Sequence, residues 1–288
     1  MAALTQQTDE WLEARRSKIG ASDAPVIMEV SPWKTPYQLW QEKVGLSTNN
    51  FVSPAMQNGI DKEPEARTAF MKKTDILVFP RVVFHERYDW MMASLDGMDP
   101  EGKHIVEIKT VNADDHALAE SGKIPEKYFP QLQHQLEVTG LDMAYYFSYH
   151  KGEGIIVEVG RDDKYIEQMV DEEKKFYTCM QDFIAPKMTT KDYVEIENDD
   201  FCSTAVQWQK IQQELSALTK QEEMIKKKLI YMCEAKQYTN VKGAGIRLSK
   251  CMRKGNIEYT KIPCLKRMDL EIFRKEPTQY WRVTNGEK

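Results

Sequence analysis

Met92-Ala-Ser-Leu-Asp96-Gly-Met-Asp-Pro-Glu-Gly102-Lys-His-Ile-Val-Glu107-Ile-Lys109-Thr110 is the stretch that decides the fold. Its apolar and β-branched residues predict strands at Trp90–Ser94 and Ile105–Thr110, with turn signals at Asp96-Gly97 and Asp99–Gly102 between them. Strand side chains alternate faces, so Glu107 and Lys109 share one face while Val106, Ile108 and Thr110 take the other. Two acids and a lysine gathered on one spot form the donor set of a metal-dependent phosphodiester-cleaving site. The acids supply hard oxygen ligands for divalent cations, and the lysine orients, and helps deprotonate, an attacking water.

Working outward, Ile76–Pro80 and Val82–His85 read as strands before this stretch, and Met143–His150 and Gly154–Val159 as strands after it. Helices are expected at 8–16 (Trp11 and Leu12 apolar), from Gly20 through Met28 with Ser22 as cap, from Thr35 to Gly45, and from Ala55 to Lys73. Two more are expected at 126–139 and Arg161–Ile184. Helices, a strand meander, a helix, strands and a helix make an α/β or α+β body with a central mixed sheet.

A different composition begins near Glu195-Ile-Glu-Asn-Asp-Asp200. Residues 1–200 hold 22 basic and 36 acidic residues, whereas 201–288 hold 18 and 9. An acidic body of 1–195 and a basic extension of 196–288 follow. The extension opens on a helix from Phe201 to Ala235. Its stripe of Trp208, Ile211, Leu215, Leu218, Ile225, Leu229 and Met232 has coiled-coil or helical-hairpin spacing. Gly243–Cys251 reads as a strand, and Asn256–Arg267 mixes strand and helix signals.

Composition excludes several classes. With 41% hydrophobic and 30% charged residues the chain is an ordinary globular one. No apolar run reaches the ~20 residues of a membrane span, and the N-terminus has no signal-peptide layout, so a cytoplasmic location is expected. Cys179, Cys202, Cys233, Cys251 and Cys264 are scattered, which fits neither a zinc site nor an iron–sulfur cluster. His85, His104, His116, His134 and His150 show no ligand spacing.

An Asp about ten residues before Glu-x-Lys, flanked by strand residues, resembles the PD-(D/E)xK nuclease superfamily, whose core is restriction-endonuclease-like. Further blocks narrow the resemblance. Ile19-Gly-Ala-Ser22-Asp-Ala24, Ser31-Pro-Trp33-Lys-Thr-Pro-Tyr-Gln-Leu-Trp40-Gln-Glu-Lys-Val-Gly45, Asn58-Gly-Ile-Asp-Lys-Glu63-Pro-Glu-Ala-Arg67, Gln131-Leu-Gln133 and Val138-Thr-Gly140 fall in order. Together they resemble the YqaJ-type viral recombinase family, the relatives of phage lambda exonuclease.

The resemblance implies residue roles. Glu63, Asp96, Glu107 and the Ile108 carbonyl hold two Mg²⁺ ions, with Mn²⁺ as substitute. Lys109 positions or activates the water, and Gln131 helps place Lys109 or the scissile phosphate. Arg15, Ser22 and Ser94 form a pocket for a terminal 5′-phosphate. It also implies 5′→3′ digestion of one strand of linear double-stranded DNA, leaving 3′ overhangs. A homo-oligomer, trimer favoured, and a single-strand annealing protein as partner follow on the same basis.

Structural alternatives stand beside these roles. Glu63 can simply favour a helix N-terminus, Arg15 can be a surface residue with Arg16 competing for its place, and Gln131 and Gln133 can face solvent. Trp33 and Trp40 read first as core packing, and Asp114 and Asp115 as loop charges. The extension's heptad stripe can pack on the body, pair between subunits or dock a partner, and its basic clusters can touch phosphates. Two rival functions share the motif: a structure- or sequence-specific endonuclease, and a non-catalytic DNA-end-binding protein.

Overall fold

The structure is a computed structural model that describes residues 4–47, 53–263, 265, 268, 270 and 273–278. The chain divides into two compact units, Met1–Val194 and Glu195–Lys288.

The first unit is a mixed six-stranded sheet between helical layers, as expected. In chain order it runs α1 (Asp9–Ser17), β1 (Ile19–Gly20), a 3-10 turn (Ala21–Asp23), α2 (Ala24–Ile27), α3 (Pro36–Lys43) and α4 (Pro54–Thr74). There follow β2 (Phe79–Phe84), β3 (Met91–Met98), β4 (Ile105–Thr110), α5 (Ala113–Glu120), α6 (Phe129–Thr139), β5 (Met143–His150), β6 (Glu153–Gly160) and α7 (Asp163–Gln181). The caps explain most helix starts. Thr8, Thr35, Ser53, Asn112 and Asp162 each accept a backbone N–H of the first turn. Gly140, at φ +70°, ends α6 in the left-handed conformation that glycine adopts without strain.

The strand order is β1-β3-β4-β5-β6, with β2 also paired to β3. β1–β3 and β4–β5 are parallel; β2–β3, β3–β4 and β5–β6 are antiparallel. One face carries α6 and its neighbours over a core that includes Ala93, Leu95, Leu132, Leu136 and Tyr146. The other carries α4, whose Ala66 and Phe70 bury Val106, Ile108 and Phe147. Each large aliphatic or aromatic side chain so buried contributes about 1.5–3 kcal/mol.

β3 has an unusual edge. Met92 pairs with both Gly20 and Phe84, and Met98 with both Phe79 and Ile105. β2 therefore takes one edge, while β1 and β4 share the other, one at each end. The β3–β4 register consists of Gly97 opposite Val106 and Met98 opposite Ile105. In the same stretch of β3, Gln6 donates to the Leu95 carbonyl and Arg67 to that of Asp96.

This corrects the turn expected at Asp96-Gly97. Both residues lie inside β3, and the turn is at Asp99–Gly102, where Gly102 N–H bonds the Asp99 carbonyl. Gly97 is required for close approach. A Cβ there would sit 2.7 Å from Val106 Cγ1 and 2.8 Å from Val78 Cγ2. Gly97→Ala should therefore destabilise the protein by about 1–3 kcal/mol in urea unfolding, since both valines are packed and branched.

Other expectations also shift. The two strands expected at 76–85 are one, β2. Ser22 is not a cap but lies within the 3-10 turn, and the four-residue α2 carries no side-chain cap bond. Leu12 is exposed, so Trp11, with the partly buried Ala14, forms the apolar side of α1. Asp114 and Asp115 sit in the first turn of α5, where they favour its N-terminus.

The second unit opens on α8 (Asp199–Ala235), which buries no residue; Ile211, Leu215, Leu218, Ile225 and Met232 of the heptad stripe are exposed. The strand expected at 243–251 is instead a hairpin of β7 (Asn240–Gly243) and β8 (Ile246–Ser249). Cys264 and part of the 256–267 segment lie outside the described residues. The other four cysteines are free thiols. Among the described residues no helix is long and apolar enough to cross a membrane.

Candidate active site

The gap on the edge of β3 is where the predicted residues meet. Leu95 and Met98 both pack into the α6-side core, and the β2–β3 register shifts between their partners Arg81 and Phe79, so the alternation of β3 breaks around Asp96. Glu107 and Lys109 point to the α6 side, opposite Val106 and Ile108. Continuing the Gly97–Val106 register by one residue puts Asp96 opposite Glu107, on the same face. Asp96 Oδ2 accepts the Ile108 N–H at 2.8 Å, which ties it to β4 beside Glu107.

Glu107 is fully buried and Lys109 Nζ lies 2.6 Å from its Oε1. α6 completes the cage: Gln131 Nε2 donates to Glu107 Oε1 at 2.6 Å, and Gln135 Nε2 to Oε2 at 2.5 Å. Gln131 thus contacts Glu107 directly and is buried, not solvent-facing. Gln133 is also buried, bonded to the Gly160 carbonyl and the Asp162 N–H. Gln135 was not foreseen, although it follows Gln131 by one helical turn beside Leu132 and Leu136.

Glu63 arrives from α4. Gly59, one turn earlier, faces Thr110 of β4, with room for a Cβ 3.4 Å from Thr110 Oγ1. Arg67, one turn later, pairs with Glu63 and donates to the Asp96 carbonyl at 2.7 Å, a clamp the sequence reading missed. A cleft of about 410 Å³ lined by Gln6, Glu63, Arg67 and Arg81 opens beside it.

The electrostatics show that the three acids sense one another. Burial first, then Glu107 and Glu63, hold Asp96 well above the usual carboxylate range, with Lys109 and the Ile108 N–H opposing. Burial likewise raises Glu63; Arg67 opposes, and Glu107 adds to the rise. Burial disfavours the Lys109 ammonium, but Glu107 and Asp96 outweigh it and raise its pKa.

Among the described residues, no three His, Cys, Asp or Glu side chains are grouped closely enough to hold a metal ion. The carboxylates are occupied by Arg67, Lys109 and the two glutamines instead. Their chemistry nonetheless fits hard divalent cations: oxygen donors, like-charged, mutually repelling and desolvated, which a cation would relieve.

The predicted phosphate residues also meet. Arg15 Nη2 donates to Ser22 Oγ at 2.9 Å, and Trp11 Nε1 to Ser94 Oγ at 2.8 Å. Trp11 joins the pairs, because the Arg15 guanidinium lies 4.8 Å over its ring. Arg16 turns to Glu13 instead. Lys43, buried against Asp23 at 2.5 Å, holds the Arg15 carbonyl at 2.5 Å and so fixes the end of α1. α2, with only four residues, adds no helix-dipole pull on an anion at Ser22.

The histidines have structural partners. His134 Nδ1 lies 2.7 Å from Glu173 Oε1 and its Nε2 is 3.0 Å from the Met92 carbonyl. His116 pairs with Ser148, and His150 with the Val111 carbonyl. The second unit has a cavity of about 810 Å³, lined by residues such as Leu218, Ile225 and Leu248 together with Lys226, Arg247 and Lys250 of its basic clusters.

The description "YqaJ-like viral recombinase domain" matches residues 10–142. The uncharacterized protein YqaJ of Bacillus subtilis (strain 168) is 31% identical, over 72% of this chain and 70% of its own. Among solved structures, an alkaline exonuclease (LHK-Exo) from Laribacter hongkongensis is similar, with a TM-score of 0.54 and 25% identity over 62% of this chain and 94% of that one. The same enzyme in complex with dAMP matches with a TM-score of 0.53.

Proposed function

Because the chain belongs to the YqaJ-like viral recombinase family, we propose that it is a metal-dependent deoxyribonuclease. It digests one strand of linear double-stranded DNA 5′→3′ and leaves 3′ overhangs for recombination by annealing. The observation that carries this reading is the meeting of Asp96, Glu107 and Lys109 through the β3 gap, with Lys109 Nζ 2.6 Å from Glu107.

Glu63, Asp96, Glu107 and the Ile108 carbonyl would hold Mg²⁺, with Mn²⁺ as substitute. Such ions supply Lewis-acid activation of water and neutralise charge on the departing 3′-oxygen. The protein's own groups do the rest. Gln131 and Gln135 fix both Glu107 oxygens, so that carboxylate cannot rotate. Lys109 holds the attacking water in line with the phosphate. Arg15, Ser22 and Ser94, gathered around Trp11, receive a terminal 5′-phosphate and set the register of the end. A homo-oligomer of three copies around the duplex, passing its 3′ strand to a single-strand annealing protein, completes the activity.

End-labelled linear duplexes with and without a 5′-phosphate, and a closed circle, test this in Mg²⁺ and in chelator. Nucleotide release from linear DNA in Mg²⁺ alone, faster with the 5′-phosphate, is expected. Cutting of the circle at the same rate would make the protein an endonuclease. End binding without release would make it non-catalytic.

A further inference from the structure

Among the described tryptophans, Trp11, Trp40 and Trp90 are buried and Trp208 is half-buried, whereas Trp33 is 67% exposed. Its expected place in the core is thus wrong. Its backbone is nevertheless held firmly. Lys34 pairs with Glu42 at 2.6 Å, Thr35 and Gln38 form a reciprocal cap on α3, and Thr35 bonds Asp192. A fixed backbone presents an open indole face.

What surrounds that face is not random. The Trp33 ring is 6.4 Å from the Tyr128 ring. Lys127 Nζ stands 5.3 Å over Trp33 and 5.2 Å over Tyr128. Lys109 Nζ lies 5.2 Å over that same Tyr128 ring. Asp115, 2.7 Å from Lys127, fixes the ammonium while leaving it further N–H donors. Aromatic rings and cations thus alternate from Lys109 out to solvent. Proteins bind unpaired nucleic-acid strands with that combination: rings stack bases and cations take phosphates.

We propose that Trp33 and Tyr128 form a stacking platform for an unpaired nucleobase of the DNA strand whose end lies at Lys109, with Lys127 on the adjoining phosphate. This rests on the nuclease reading above. The platform holds the strand once it has left its complement, so Trp33 is a positioning residue for a frayed end.

The test uses the full-length protein in chelator, where nothing is cut. Its probe is a 5′-phosphorylated single strand carrying 2-aminopurine near that end. Trp33→Leu should weaken binding by roughly 5- to 150-fold, the range for losing one base–aromatic stack. It should also remove the quenching of 2-aminopurine, while Trp33→Phe keeps both. Exposure of the indole means either variant should fold, which melting curves check. Wild-type affinity and quenching in Trp33→Leu would overturn the platform alone. A wild-type protein with no affinity for DNA would overturn the nuclease reading with it.

Discussion

Replacing Lys109 with methionine should lower DNA cleavage by roughly 10²–10⁴-fold, the range for removing a group that guides proton transfer at the reacting centre. Methionine keeps the length and apolar stem and removes only the ammonium that lies 2.6 Å from Glu107. Glu107 retains both glutamine amides, so the buried carboxylate is not stranded. Unfolding stability should fall by less than the about 3–5 kcal/mol lost when a buried charge keeps no partner at all. Glu107→Ala should lose cleavage as fully, by removing an oxygen donor. Single-turnover assays on linear duplex DNA, with melting curves alongside, separate chemistry from folding. Wild-type-like turnover by both variants would dismiss these positions as the reactive centre.

His134→Leu should lower the melting temperature by roughly 10 °C. Both members of the His134–Glu173 pair are completely buried. Removing one partner of such a pair costs about 3–5 kcal/mol, because the other is left charged or unpaired. For a unit of this size, each kcal/mol lowers the midpoint by about 2–4 °C. Glu173 is already under-satisfied, since its Oε2 has no partner among the described residues. His134→Leu combined with Glu173→Leu should recover much of the loss.

The pair also predicts a pH slope. Burial alone would lower the His134 pKa, but Glu173 outweighs it and the net shift is upward. Burial raises Glu173, with His134 opposing. Asp23 faces both groups and Glu137 faces Glu173; both are acids that favour keeping the proton. The folded protein therefore holds a proton on this pair at a pH where the unfolded chain releases it. The stabilisation from His134 is full below the unfolded histidine value, about 6.5, and is lost as pH rises through the higher folded value. Urea midpoints should decline over that interval in the wild type and stay level in the double variant. Equal slopes in both would show that the pair does not hold the proton.

The strand and helix plan could be read from the chain because its signals are local. Alternation marked β4, β5 and β6, and caps such as Thr35 marked helix starts. Asp96-Gly97 misled for a physical reason. The dipeptide that suits turns also suits a strand position where two valines leave no room for a side chain. Gln135, Arg67 and His134 were missed because their partners are 28, 29 and 39 residues away. The signal for Gln135 was present: a glutamine flanked by Leu132 and Leu136 on one helix is poorly placed to reach water. α5 was missed although Asn112 and two following acids are an ordinary helix opening. Residue type alone suggests a core place for Trp33, but it precedes the helix that carries Leu39 and Trp40.

The broken edge of β3 makes the sheet two three-stranded panels, β1-β2-β3 and β4-β5-β6, sewn together by two residue pairs. Asp96 belongs to one panel and Glu107 to the other. Any ion that both carboxylates share would therefore act as a rivet across the join. Loading the reactive centre and stiffening the scaffold would then be a single event.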